Sequence, residues 1–141
     1  MNRSFGAAAC LSLVVVLIAL PATSRAQSKA QVERGKYLAI EVARCGDCHT
    51  PMNEKGEPVQ ARWLKGTALA FKPTSPMPSW AEQSPNIAGL PGWKQADAVK
   101  FFMTGKYLGQ SPRPPMPEYH LTKPDAEAIV GYLRSLGSSE R

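Results

Sequence analysis

The chain is poor in the residues that most often carry catalytic or metal chemistry: its 141 residues include three cysteines and two histidines. So few ligands exclude a zinc finger, which needs two ligand pairs at short spacing, because the one histidine beyond His49 is the distant His120. Charge is also sparse, with charged residues at 20% and a net charge of +6. That mild balance argues against a nucleic-acid partner, which calls for a strongly basic face. Nowhere do apolar strands alternate with helices, so a thiol redox motif of the βαβ type is excluded. No internal repeat or low-complexity tract is visible, and apart from Gly6 to Leu20 no long apolar run occurs.

That apolar run is preceded by Asn2 and Arg3 and followed by Pro21-Ala22-Thr23-Ser24-Arg25-Ala26. A basic start, a short apolar stretch and small residues at 24 and 26 predict a secretory signal peptide over residues 1–26, cleaved after Ala26. The run is too short to be preferred as a membrane span, although an uncleaved leader would act as an anchor. Cys10 precedes most of the run and goes with it. The expected organisation is therefore a signal over 1–26 and one domain over 27–141, exported to an oxidising compartment, the periplasm, with no membrane span after cleavage.

The informative feature of the remaining chain is Cys45-Gly46-Asp47-Cys48-His49. This C-x-x-C-H spacing places two thiols on one helical turn, where each can bond a porphyrin vinyl group, and sets an imidazole next to them to reach the iron. Cys45 and Cys48 are expected to anchor one haem c covalently, and His49 to ligate it. Both remaining cysteines are then consumed. A domain of this size has a marginal core, and a bound haem would supply the missing staple.

Three helices are expected. Ser28-Lys29-Ala30-Gln31 fits a capping box, and Val32, Gly35, Ala39 and Val42 recur at helical spacing, which predicts a helix over 29–43. Gly35 inside it implies a closely packed neighbouring backbone. Ala98, Phe101 and Phe102 share one face of a helix over 94–104, with Gly105 as its C-terminal cap. Thr122-Lys123-Pro124-Asp125 caps a last helix that carries Ala126, Ile129, Val130, Leu133 and Leu136 and ends before Gly137. Prolines at 73, 76, 78, 85 and 91, and again at 112, 114, 115 and 117, keep the intervening stretches out of regular helix.

A low-spin iron needs a sixth ligand, and the choices are Met52, Met77, Met103, Met116 and His120. Met52 follows His49 too closely to reach the other haem face. Met103 falls on an apolar helix, where a gap-filling core role is expected. Met77 and Met116 both sit in stiff proline-flanked loops, and the residues alone leave the two open, with His120 behind them.

Taken together, the chain resembles the class I, mitochondrial-like monohaem c-type cytochromes over nearly the whole domain that follows the leader. Gly35 and Tyr37 match the first helix of that family, Met116 the ligand loop, and Tyr132 and Leu133 the crossing helix. The resemblance implies an all-α small cytochrome c fold of about three to five helices around one covalent haem, with long Pro-rich loops and Met116 as the second axial ligand. Pro85-Asn86-Ile87 followed by Gly92-Trp93 also looks like small cytochromes that partner periplasmic dehydrogenases, which implies propionate contacts from Asn86 or Trp93.

The implied role is electron transfer, without catalysis, between a donor dehydrogenase and an acceptor such as a terminal oxidase. The chain would serve as a monomeric shuttle or as a subunit of the dehydrogenase. The alternative is a five-coordinate haem enzyme reacting with peroxide or a small gas. Arg44, Lys55, Arg62, Lys65, Lys106 and Arg113 bracket the attachment and ligand segments, and some of them are expected to ring an exposed haem edge.

Overall fold

The computed structural model describes residues 28–138, so the leader expected over 1–26 lies outside the described residues. The first helix, α1 (Lys29–Tyr37), starts where expected: the Ser28 hydroxyl accepts the Gln31 N–H at 3.2 Å. It does not run unchanged to 43. From Leu38 to Val42 the chain widens into a π turn, closed by the Ala43 N–H on the Leu38 carbonyl at 2.8 Å. The extra residue turns Leu38 and Ala39 into the core and brings the chain to Arg44, which takes a left-handed conformation with φ of 55°. The attachment motif follows at once as α2 (Cys45–His49).

Two short strands, β1 (Thr67–Ala68) and β2 (Gln83–Ser84), pair antiparallel with Thr67 opposite Ser84. They add a small non-helical element to the expected all-α fold, and two residues are too few to show alternation in a sequence. α3 (Gln95–Thr104) ends at Gly105, whose φ of 68° suits a residue without Cβ and whose N–H reaches the Phe101 carbonyl at 2.8 Å. α4 (Lys123–Ser138) opens on Thr122, whose hydroxyl accepts the Asp125 N–H at 3.4 Å.

α4 passes through Gly137 rather than stopping before it. The reason is packing. A Cβ on Gly137 would lie 2.7 Å from the Gly89 Cα, so this glycine admits a neighbouring chain instead of breaking the helix. Gly35 plays the same part at the crossing of α1 and α4, where a Cβ would lie 1.9 Å from the Ala128 carbonyl oxygen. α1, α3 and α4 enclose a core of Leu38, Ala39, Leu64, Phe102, Ile129, Val130 and Leu133. The helices thus hold α2 at one side of this core, with the proline-rich loops folded over it.

Candidate functional site: the C-x-x-C-H cavity

The attachment helix is clamped from several sides. Gly46 lies under the Trp63 ring, where a Cβ would come 2.9 Å from Cη2, and the Trp63 indole N–H donates to the Tyr132 hydroxyl at 3.2 Å. The fully buried Thr50 accepts the Leu64 N–H at 3.0 Å, and the His49 carbonyl accepts the Gly66 N–H at 2.7 Å. His49 itself is 5% exposed, with Nδ1 at 2.8 Å from the Pro85 carbonyl oxygen. A carbonyl can only accept, so Nδ1 carries the proton and Nε2 keeps its lone pair for a metal. Burial lowers the His49 pKa, which favours the same neutral imidazole. Burial also pushes the Cys45 thiol up to about 11, and it raises that of Cys48.

Cys45, Cys48 and His49 open on a cavity of about 870 Å³, chiefly apolar in lining. That size lies within the roughly 300–1,000 Å³ typical of cofactor sites. Of the candidate sixth ligands, only Met116 lines it. Met77 lies in an adjoining groove and is 43% exposed, and Met52 is 45% exposed. His120 is turned outward, 3.7 Å from a Glu118 carboxylate oxygen. Met103, expected in the core, is 37% exposed on α3, because Ala98, Val99 and Phe102 take the inward face.

Asn86 and Trp93 both line the cavity. The Asn86 side-chain oxygen accepts the Ala88 N–H at 2.9 Å, and the Trp93 ring packs against Tyr107 and Phe101 with centroids 4.4 and 5.6 Å apart. Of the six basic residues, some of which are expected to ring the cavity, only Arg44 and Arg113 line it. Neither has a free head group: Arg44 Nε meets Asp47 at 2.9 Å, and Arg113 donates to the Ser79 and Trp80 carbonyls. Two of the six thus stand at the cavity, while Lys55, Arg62, Lys65 and Lys106 do not line it.

Sequence reasoning missed Trp63, Tyr119 and the Pro85 carbonyl. Tyr119 lines the cavity, and its hydroxyl donates to the Ala43 carbonyl at 3.2 Å. Its place three residues beyond Met116 was the available signal. A backbone carbonyl leaves none, since any residue could supply it.

The cytochrome c family profile matches residues 32–137. The chain belongs to the cytochrome c family. Membership makes this domain a carrier of electrons on covalent haem c, not itself a catalyst. It is 35% identical to the fructose dehydrogenase cytochrome subunit of Gluconobacter japonicus, a match covering 73% of this chain and 21% of that protein. To a diheme cytochrome c-type protein of Cereibacter sphaeroides it is 30% identical over 77% of this chain and 36% of the other. To the cytochrome c subunit of the quinone alcohol dehydrogenase of Gluconobacter oxydans it is 27% identical, over 82% and 26%. The chain thus spans only about a fifth to a third of the length of these relatives. Among the described residues no helix is long and apolar enough to cross a membrane.

The cavity fits the cofactor that the family carries. It joins two thiols, a neutral imidazole with one nitrogen free, a thioether and an apolar surround in one space.

Proposed function

We propose that this chain is a periplasmic electron-transfer protein with one haem c, held by Cys45 and Cys48 and ligated by His49 and Met116. The observation that carries the reading is the shared cavity, in which Met116 alone among the candidate sixth ligands meets the C-x-x-C-H residues. A haem held there would supply one-electron chemistry, with His49 and Met116 as the residues that ligate it. The chain's part is to hold those ligands, exclude water with apolar walls, and favour the ferrous state through a soft thioether. Little need move between redox states, because His49 is fixed through Pro85 and α2 through Trp63 and Thr50.

Electrons would arrive from a periplasmic dehydrogenase and leave to an acceptor such as a terminal oxidase. Relatives named as dehydrogenase cytochrome subunits favour a second reading, in which the chain is a bound subunit rather than a free shuttle. Size exclusion of a native extract separates the two, since a subunit co-elutes with its dehydrogenase. The ligand set is tested by ferric spectra: Met116→Ala should abolish the sulfur-to-iron charge-transfer band, and Met77→Ala should keep it. Loss of the band in Met77→Ala alone would reverse the assignment.

A further inference from the structure

The loop that brings Met116 to the cavity is short of backbone donors. Pro112, Pro114, Pro115 and Pro117 have no N–H, so from 112 to 117 only Arg113 and Met116 can donate from the main chain. The Met116 N–H is already used, on the Arg113 carbonyl at 3.1 Å. A loop of this composition cannot be fixed by a ladder of its own. It is fixed from outside: the Ala81 N–H donates to the Pro114 carbonyl at 2.7 Å, and the Arg113 side chain reaches across to the same segment. Arg113 Nε lies 3.0 Å from the Ser79 carbonyl oxygen, and Nη2 lies 2.5 Å from that of Trp80. Two successive carbonyls are thus gripped by one planar fork.

The segment that receives this grip is the one that orients His49. It runs through Glu82, whose carbonyl accepts the Leu69 N–H at 2.9 Å, and through β2, paired with β1. It ends at Pro85, whose carbonyl takes the His49 Nδ1 proton. A single strut therefore meets both ligand-bearing parts of the site.

We propose that Arg113 is a positioning residue for the sixth ligand: its guanidinium latches the Met116 loop to the strut that also fixes His49. The proposal rests on Met116 being that ligand. Lysine can place only one donor group where the fork places two, so the latch depends on shape and not merely on charge.

The test is titration of the ferric holoprotein with imidazole, followed at the sulfur-to-iron charge-transfer band, in Arg113→Ala, Arg113→Lys and Lys72→Ala. Lys72 lines the adjoining groove with Arg113, so its removal controls for lost charge on that face. Loss of two hydrogen bonds from one charged group to carbonyls, at 3.0 and 2.5 Å, should tighten imidazole binding by about five- to thirtyfold in Arg113→Ala. Arg113→Lys should fall between Arg113→Ala and the unaltered protein, and Lys72→Ala should match the unaltered protein. Unchanged imidazole affinity in Arg113→Ala would overturn the proposal, as would full rescue by lysine. Should Arg113→Ala yield no holoprotein, Arg113→Lys decides alone by the same criterion. Absence of the band from the unaltered protein, or its survival in Met116→Ala, would instead sink the ligand assignment beneath it.

Discussion

Gly35→Ala puts a methyl group where α1 and α4 touch backbone to backbone. The new Cβ would lie 1.9 Å from the Ala128 carbonyl oxygen, 2.4 Å from its carbon and 3.0 Å from the Ile129 nitrogen. None of these atoms belongs to a side chain that could rotate away. Reaching tolerable contact requires the two helices to part by about 1 Å, loosening the Ile129 and Leu133 side chains beneath them. Overpacking of this kind costs about 1–3 kcal/mol, while alanine's better helix propensity returns about 0.5–1 kcal/mol. A net loss of about 1–2 kcal/mol should lower the Tm of the holoprotein by about 3–12 °C. Thermal unfolding followed by far-ultraviolet circular dichroism reads it. A Tm at or above that of the unaltered protein would refute the close crossing, because propensity alone acts in that direction.

Replacing both Cys45 and Cys48 by alanine should leave a polypeptide with no covalent haem, seen as the bare chain mass after denaturation, where the unaltered protein carries one haem. A mass gain corresponding to haem in the double variant would contradict the attachment. Trp63→Phe keeps a ring over Gly46 but removes the bond to Tyr132, and should cost about 1 kcal/mol in unfolding by guanidinium; Trp63→Ala should cost more, about 3 kcal/mol, since the ring contact goes too. Equal losses would mean the ring contributes nothing. If docking is electrostatic, reduction by the proposed dehydrogenase donor should slow as ionic strength passes about 0.1 M. A flat salt profile would mean that docking is apolar.

What could be read along the chain was local. Ser28 and Thr122 as helix caps, Gly105 as a helix end and the C-x-x-C-H turn all depend on neighbours within a few residues, and all are found where expected. Features set by distant contacts were not legible. The passage of α4 through Gly137 and the pairing of Thr67 with Ser84 each answer to a partner far off in sequence. The same limit explains the site. His49 could be named from its spacing, but the Pro85 carbonyl that fixes its tautomer could not. Arg113 could be noticed as a charge, but sequence does not say where a guanidinium points, and it points at carbonyls of the folded chain rather than at a partner.

The core and the cavity share a wall. Cys45, Leu90, Ala98, Phe102 and Leu133 belong to the buried cluster, and all five also line the cavity. An occupant of that cavity therefore buries the same side chains that hold α3 and α4 together, and its apolar area adds directly to a core that is small for the length of chain it orders. This arrangement makes a permanent bond more useful than reversible binding: a cofactor that could leave would take much of the core with it. It also ties the ligand loop to stability, because Met116, Tyr119 and the prolines beside them close the remaining side of that space. A change in the core should consequently be visible in the ligand spectrum before it is visible as unfolding.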